Sequence, residues 1–419
     1  MDQTAPDSRR RALLGAALGV TALSALPRIA RGQGAGMKIG IIGTGRIGGA
    51  LARHWAKAGY VLMISSRHPE QLKALAEGIG PQVSVGTPEE AAAFGPYKMM
   101  LMMDPPEHTG FRKLIRSEFT LPTAKLREAR IQALARQIVD AVIEKGECDF
   151  VAEVAGEMPS FVIAELLGLP LEDGRELYKL TEVIHTAPEA QAPGAGGQAV
   201  MKMFEYGSKL MAEKRARPGD DLASRLLACE VDGRRLEDME FLLFFLLLID
   251  AGGDTTRNLL ASGLDAMLDH PDQLAWLKAD LPARLPAARE ELLRWTTPVI
   301  YMRRTARADA QLGGKTIRKG DKVVMYFGSA NRDPDQFDRA DQLDLARAPL
   351  DHIAFGNGPH VCLGQHIARI EIDAMLVEVL SRLEDVERTA PPEWLASNFI
   401  SGPRTMPVRF RAGRRLGAG

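Results

Sequence analysis

The sequence predicts a mainly helical protein that is preceded by a short α/β segment. Apolar residues recur at helical spacing over residues 159–170 and 236–260, which predicts long buried helices. Near the N-terminus, two short apolar strands enclose a glycine-rich turn and an amphipathic helix instead. The purely apolar run 241–249 is too short to span a bilayer, so no transmembrane span is expected beyond the leader described next. A formal net charge of −1 gives no indication of the excess positive charge that is typical of nucleic-acid-binding proteins.

Residues 1–36 show the order of an export signal. Arg9, Arg10 and Arg11 precede an uncharged apolar stretch over residues 12–27, and basic and small residues follow it. The paired arginines indicate the twin-arginine route, which would place the protein in the periplasm. A disordered basic tail is the alternative interpretation.

The strand, glycine turn and helix order of a dinucleotide site begins at residue 37. The apolar strand 38–42 runs into G-T-G-R-I-G, with Gly43, Gly45 and Gly48 in the phosphate-binding positions, and a second strand covers 60–65. The first glycine permits the tight turn, the second lets a pyrophosphate approach, and the third packs helix on strand. This pattern predicts an incomplete α/β Rossmann segment.

The residues after the second strand indicate NADP rather than NAD. Ser66 and Arg67 stand where an acidic residue would bind a ribose hydroxyl, and they suit a 2′-phosphate. The segment 37–95 resembles deazaflavin-dependent NADP reductases, which share this S-S-R sequence. One further strand is visible, at 83–85, and three parallel strands do not complete a doubly wound sheet. A segment retained for packing alone is the alternative.

Residues 355–364 read F-G-N-G-P-H-V-C-L-G and form the most specific pattern in the chain. Small residues let the backbone approach a porphyrin, and Cys362 can supply a thiolate ligand to haem iron. Backbone amides at the start of the following helix are expected to lower the pKa of this thiol. His360 is placed to meet a haem propionate. For the loop alone, a glycine-rich turn with a buried cysteine is the alternative.

This loop resembles the haem-binding loop of the cytochrome P450 family at every fixed position, F-G-x-G-x-H-x-C-x-G. The resemblance covers about residues 99–410. It implies a haem b monooxygenase domain over 96–412, mainly α-helical with small β-sheets, and a tail at 413–419. It also implies a ferredoxin and a ferredoxin reductase as electron donors and a cytoplasmic location, which conflicts with the leader. The leader and the Rossmann segment stand where the family has its usual N-terminal portion.

The helical stretch 236–260 carries a second family motif. Its apolar half runs into A-G-G-D-T-T, where two adjacent glycines cost about 2 kcal/mol of helix propensity relative to alanine. We expect a loosened turn there that frees a carbonyl group. The match to the P450 sequence A-G-x-D-T-T implies that Thr255 hydrogen-bonds dioxygen and that Asp254 passes protons inward. A tolerated kink with a local threonine hydrogen bond is the alternative.

Further residues receive roles through the same resemblance. His108 and Arg112, in the segment D-P-P-E-H-T-G-F-R, would face haem propionates, and so would Arg304. For the segment with His108, a plain helix start with aspartate as cap is the alternative.

Glu291 and Arg294 lie three residues apart on one helical face and can therefore pair. The resemblance adds Arg347 as the third member of a structural triad, which would hold the haem-side core without taking part in the chemistry. Taken alone, an E-x-x-R match is common and usually marks a solvated salt bridge.

These features predict a monooxygenase that hydroxylates an apolar small molecule of the steroid, terpenoid or fatty-acid class, with Phe245, Leu248 and Val299 in or near its pocket. NADPH gives a hydride whereas haem accepts single electrons, and only two cysteines remain beside Cys362, so separate redox partners are expected. Two alternatives stay open. One is an exported NADP-binding oxidoreductase-like protein, and the other is a haem-binding chain without turnover because its distal pocket is truncated.

Overall fold

The computed structural model describes residues 38–42, 52–53, 56–57, 61–66, 68–87, 90–91, 98–192, 195–231, 233–348 and 350–417. The leader, Gly43, Gly45, Gly48 and Arg67 lie outside the described residues, so the predictions made on them stay predictions. The chain divides into two compact units. The first contains Met1–Met99 and Thr186–Tyr206, and the second contains Met100–His185 and Gly207–Gly419.

The first unit contains a three-stranded parallel sheet in the order β1-β2-β3. Its elements are β1 (Lys38–Ile42), β2 (Val61–Ser65), α1 (Lys73–Ile79) and β3 (Val83–Val85). Leu62 and Ile64 of the central strand are fully buried, as expected for a strand with a neighbour on each side. Gly40 is required where β1 passes Ala91, because a Cβ atom there would lie 1.6 Å from the carbonyl oxygen of Ala91. The three strands predicted from the sequence are confirmed.

The second unit is mainly helical, as predicted. The helices from residue 100 onward are α2 (Glu107–Arg116), α3 (Leu121–Leu126), α4 (Glu128–Val142), α5 (Glu157–Leu167), α6 (Leu171–His185), α7 (Ala195–Ala216), α8 (Leu222–Ala228), α9 (Asp238–Asp269), α10 (Pro271–Ala279), α11 (Leu281–Thr296), α12 (Phe327–Ala330) and α13 (Gln365–Arg382). Helix α7 is divided between the two units at Gly207.

Small sheets accompany these helices, which confirms the predicted fold class. The strands are β4 (Glu147–Asp149), β5 (Glu230–Val231), β6 (Arg234–Arg235), β7 (Tyr301–Thr305), β8 (Ala310–Leu312), β9 (Lys315–Ile317), β10 (Lys322–Tyr326), β11 (Glu384–Arg388), β12 (Glu393–Trp394), β13 (Pro403–Thr405) and β14 (Pro407–Arg411). The largest sheet of this unit has three strands in the order β11-β14-β4, and β7 pairs with β10 in antiparallel register.

Helix α9 forms the centre of the second unit. Its N-terminus carries a capping box, in which Glu237 and Glu240 each accept a hydrogen bond from the other's backbone amide. Eight of the nine apolar residues at 241–249 are buried, so this half of the helix is apolar on all sides because protein surrounds it. Helices α5, α6, α11 and α13 pack against α9. This packing fixes the motif at 250–256 relative to the helix that follows Cys362.

Within the described part of the chain, no helix by itself has the length and apolar character needed to cross a membrane. A bent pair, Val151–Leu167 with α6, passes the same test only when the two parts are taken together, and they meet at 117°.

Candidate active site

The loop around Cys362 is held by its own backbone. Gly356 and Gly358 have positive φ angles of 69° and 74°, a conformation that L side chains rarely adopt, so both turns require glycine. The amide of Cys362 donates to the carbonyl oxygen of Phe355 at 2.8 Å and closes the loop. Helix α13 begins three residues after the cysteine. The loop therefore presents the sulfur at the N-terminal end of a helix.

The groups around the Cys362 sulfur favour a thiolate without creating one by themselves. Burial raises the pKa of the Cys362 thiol, and the net shift is upward. The backbone amides of Gly364 and Gln365 and the charges of Arg112 and Arg369 all act in the opposite direction. The prediction that the helix amides act to lower the pKa of this thiol is therefore confirmed. The prediction that the pKa is lowered overall is wrong, because burial of the sulfur raises it more than the amides lower it. A metal ion that coordinates a thiol removes its proton outright.

The other two cysteines have different surroundings. Burial, together with the negative charges of Glu153 and Asp149, raises the pKa of Cys148 to about 12. Burial alone raises the pKa of Cys229. Of the three, Cys362 is the one whose sulfur faces backbone amides and guanidinium groups together, which makes it the candidate metal ligand.

Basic side chains from three elements gather beside this loop. The rings of His108, on α2, and His360 lie 4.0 Å apart between centroids. Arg112 donates from Nη2 to the carbonyl oxygen of Val361 at 2.6 Å. Burial lowers the pKa of His360, and the positive charges of Arg304, on β7, and Arg112 lower it further. The four residues predicted to face haem propionates are therefore brought together.

The basic groups of this cluster oppose one another's protonation. Burial, followed by the charges of His360 and Arg112, lowers the pKa of His108, and burial also lowers the pKa of Arg112. The carboxylate of Asp104 opposes this shift at both histidines. Such a cluster suits a dianionic group. Beside a cysteine sulfur and a glycine-rich backbone, it suits a haem with two propionates, so the residues present fit the predicted cofactor.

Helix α9 runs without interruption through the double-glycine motif, so the prediction of a loosened turn is wrong. Thr255 donates from Oγ1 to the carbonyl oxygen of Ala251 at 3.2 Å, which is the local hydrogen bond weighed as the alternative. Close packing accounts for one of the glycines instead, because a Cβ atom on Gly253 would lie 3.0 Å from the ring of Tyr178 on α6. Asp254 is fully buried, whereas Thr255 is half-buried.

The carboxylate of Asp254 is surrounded by side chains that no sequence pattern had indicated. His185, the last residue of α6, contacts Asp254 Oδ2 through Nδ1. Thr181 Oγ1 lies 3.4 Å from Asp254 Oδ1, and Arg257 Nη2 lies 3.5 Å from the same oxygen. On its other side, the His185 ring places Nε2 at 3.2 Å from Asp250 Oδ1. His185 is 69 residues from Asp254 in sequence, so spacing gave no signal for this pair.

Glu291, Arg294 and Arg347 form the predicted triad. Arg294 donates to both carboxylate oxygens of Glu291 at 2.7 Å, and Arg347 Nε donates to Glu291 Oε2 at 3.1 Å. Glu291 and Arg294 are fully buried. Arg294 also donates to the carbonyl oxygens of Asn331 and Ala340. The triad therefore ties α11 to the segment that leads into the cysteine loop.

A neighbouring carboxylate, Glu290, was missed by the sequence reasoning. Arg369, on α13, donates to both of its oxygens at 2.8 Å, and His352 Nε2 lies 3.1 Å from Oε2. The guanidinium of Arg369 also lies 4.5 Å from the centre of the Phe355 ring. Burial raises the pKa of Glu290, but the hydrogen bonds from His352 and Arg369 outweigh it and the net shift is strongly downward. The ion pair between Arg369 and Glu290 therefore stabilises the position of the cysteine loop relative to α11.

The remaining predicted residues lie in less informative surroundings. Ser66 follows β2, and its Oγ accepts a hydrogen bond from the amide of His68 at 3.1 Å. Phe245 and Leu248 are buried in α9, and Val299 is half-buried.

Comparison with known proteins identifies two families along the chain. The sequence profile described as cytochrome P450 matches residues 195–401, and the one described as NADP oxidoreductase, coenzyme F420-dependent, matches residues 38–108. Both resemblances found in the sequence are thereby confirmed.

Similar proteins match about three quarters of this chain or more. A steroid C26-monooxygenase from Mycobacterium tuberculosis is 39% identical over 76% of this chain and 82% of its own length. A methyl-branched lipid omega-hydroxylase from the same species is 34% identical over 85% of this chain and 84% of its own length. A Mycobacterium marinum cytochrome P450 solved in complex with pseudoionone is 41% identical, with a TM-score of 0.71 over 74% of this chain and 77% of that one. Since the cysteine loop, the fold and the relatives all agree, the chain belongs to the cytochrome P450 family and is a monooxygenase of that class.

Proposed function

We propose that this monooxygenase hydroxylates an apolar small molecule of the steroid, terpenoid or fatty-acid class, using O2 and electrons from separate redox partners. The observation that carries the proposal is the Cys362 sulfur, which faces backbone amides at the start of α13 beside four clustered basic side chains. Relatives named for steroid and methyl-branched lipid oxidation, and one bound to the terpenoid ketone pseudoionone, support the substrate classes.

Cys362 would hold haem through its sulfur, while His108, Arg112, Arg304 and His360 would bind the two propionates. When bound, haem supplies the oxidising chemistry that inserts one atom of O2 into a C–H bond. The Cys362 thiolate would donate electron density that favours cleavage of the O–O bond. The basic side chains would orient the group and offset its negative charge.

Asp254 and Thr255 would supply the protons that the reaction consumes. Asp254 is fully buried in α9, so its carboxyl group would pass protons inside the protein and away from bulk water. The Thr255 hydroxyl lies one residue further along α9 and is half-buried. Rotation about its Cα–Cβ bond would release this hydroxyl from the Ala251 carbonyl oxygen and leave it able to donate a proton in the pocket.

Separate proteins would deliver the electrons, as a ferredoxin and a ferredoxin reductase do for the family. Haem takes up electrons singly, whereas a nicotinamide gives them as a hydride. A typical iron–sulfur cluster needs four cysteines, and the chain has three, of which Cys362 is assigned to haem.

NADP binding by the first unit is a second candidate function. It is favoured by the profile match over residues 38–108 and by the position of Ser66 at the end of β2. Titration of the full-length holoenzyme with NADPH and NADH, followed by nicotinamide fluorescence, would test it. Tighter binding of NADPH, lost in Arg67→Asp, is expected, and equal binding of both nucleotides by the parent and this variant would contradict the assignment.

The substrate proposal is tested by titrating the ferric holoenzyme with cholesterol, pseudoionone and phytanic acid, one from each class. An apolar ligand that displaces water from the haem should shift the Soret band to shorter wavelength, and turnover with a ferredoxin system should add one oxygen atom to it. Glucose serves as a polar control. A holoenzyme that binds none of the three ligands and oxidises none of them would contradict the proposed substrate class.

A further inference from the structure

Asp250, His185 and Asp254 form a continuous chain from the surface to the buried end of the α9 motif. The exposed fraction of the side chain falls from 25% at Asp250 to 8% at His185 and 0% at Asp254. The two ring nitrogens of His185 face the two carboxylates, one each. An imidazole bridging a partly exposed and a buried carboxylate has the geometry of a proton relay.

Other charged groups surround these three side chains. On α9, Arg257 is buried and lies 3.2 Å from Glu182 Oε2 as well as 3.5 Å from Asp254. On β13, Arg404 donates to Glu182 Oε1 at 3.0 Å. On α6, Tyr178 faces the guanidinium of Arg257. The centre of the His185 ring also lies 6.0 Å from the centre of the Phe399 ring, an apolar neighbour.

Among these neighbours, the His185 ring contacts both Asp254 and Asp250, so it is the group placed to pass a proton between the two carboxylates. A guanidinium such as that of Arg257 does not release its proton in proteins. Burial raises the pKa of Tyr178 well above its usual range, so its phenol stays protonated. Burial lowers the pKa of His185, but the hydrogen bonds and charges of Asp250 and Asp254 outweigh it and raise the pKa to about 10. The imidazole therefore remains charged and holds a proton on Nδ1, next to Asp254.

We propose that His185 acts through Asp254, as the residue that orients this carboxylate and reloads it with protons drawn from Asp250. The inference rests on the proposed role of Asp254 in proton delivery. In each cycle, the Nδ1–H bond breaks and the proton moves to Asp254 Oδ2, which leaves a neutral ring with its hydrogen on Nε2. A half-turn of the ring then presents the bare nitrogen to Asp250, which passes on one proton taken from water. One proton enters at Asp250 and one leaves at Asp254.

The ion pair itself is tested without turnover, by following the ring ¹⁵N shifts of histidine-labelled holoenzyme against pH in the diamagnetic reduced carbon monoxide form. His185 should stay protonated to at least about pH 9, and Asp250→Asn should lower its titration midpoint by one pH unit or more. Titration of His185 near its unperturbed value in the parent protein would overturn the inference.

The relay is tested by the oxygen consumption of the holoenzyme, driven by NADPH, a ferredoxin and a ferredoxin reductase. His185→Asn keeps an N–H donor near the position of Nδ1 but cannot exchange protons. We expect its rate to fall roughly tenfold, with a larger solvent deuterium isotope effect and a new decline between about pH 7 and 9. His270→Asn is the matched control, because the His270 ring, just beyond the C-terminus of α9, bonds the Ala266 carbonyl oxygen and takes no part in the contacts that link Asp250 to Asp254.

Asp254→Asn separates this inference from the function on which it rests. If the relay acts through Asp254, this variant should show the same loss, and the double variant should be no slower than either single variant. Losses that multiply in the double variant, or a parental rate and isotope effect in His185→Asn, would overturn the relay while leaving the role of Asp254 intact. A parental rate in Asp254→Asn would contradict the proposed proton delivery and the relay together.

Discussion

Glu371 shows how a single buried carboxyl group on α13 makes stability depend on pH. It is 4% exposed, and burial raises its pKa to about 7, with a hydrogen bond from Thr256 opposing the shift. Because the folded pKa lies above the unfolded value, the folded state binds the proton more tightly. The stability associated with that proton is complete below about pH 4.5 and is lost as the pH rises through about 7.

Glu371→Gln should therefore stabilise the protein at pH 8 and change little at pH 4.5. The amide has the shape of the protonated acid and avoids ionisation in a buried site, which predicts a gain of about 3 kcal/mol at the higher pH. The free energy of unfolding in urea, measured at both pH values, checks this. Glu384→Gln, at an exposed ion pair with Arg411, should show neither effect. Equal stability changes at the two pH values would contradict the buried-carboxyl account.

At the scale of an element, packing around α9 makes two adjacent glycines differ, although they look equivalent in the sequence. A Cβ atom on Gly252 would lie 3.5 Å from Ile163, which is an ordinary contact, whereas one on Gly253 would lie 3.0 Å from Tyr178. Helix α9 stays regular at both positions. Close approach of α6 therefore explains the second glycine, and helix distortion explains neither.

Gly252→Ala and Gly253→Ala form a matched pair for this account. The first should stabilise the fold by about 1 kcal/mol through helix propensity. The second should lose that gain, and about 1 kcal/mol more, because the Tyr178 ring must move in a packed core. Thermal unfolding of both holoenzymes measures the difference. Equal stabilisation by the two alanines would show that α6 does not pack this closely on α9.

The same helix shows what the sequence could and could not predict. The sequence predicted two contiguous motifs, Phe355 to Cys362 and Ala251 to Thr255. This was possible because the residues of each motif act on one another through the local backbone. The sequence did not predict the partners of Asp254 and Glu290. His185 is 69 residues from Asp254, Arg369 is 79 residues from Glu290, and each pair meets only through helix packing. The predicted loosened turn failed because glycine propensity was weighed without the helix packed against it. The contact between α6 and α9 therefore explains the glycine at position 253.

At the scale of the whole molecule, the sequence makes two conflicting predictions of location. Residues 1–36 predict export by the twin-arginine route, whereas the family resemblance of the second unit implies a cytoplasmic location. The first unit adds a parallel sheet of the kind found in NADP-binding oxidoreductases. The haem chemistry proposed for Cys362 and Asp254 uses residues of the second unit alone.

Export is tested by changing the paired arginines. The twin-arginine route requires them, so replacing Arg9 and Arg10 by lysine should abolish export of the full-length chain and leave haem content unchanged. Cell fractionation with haem absorbance of each fraction measures both quantities. Retained export in the double variant, or an unexported parent chain, would contradict the leader assignment.

The central claim is that Cys362 is the haem ligand, and the reduced carbon monoxide difference spectrum of the purified full-length chain tests it most directly. Cys362→Ala should lose the signal of thiolate ligation, whereas Cys148→Ala should keep it, because the Cys148 thiol is buried among negative charges. We predict a Soret band at the long-wavelength position typical of haem-thiolate proteins in the parent and in Cys148→Ala. Haem bound with a band typical of a neutral ligand, or a thiolate band that survives in Cys362→Ala, would contradict the account.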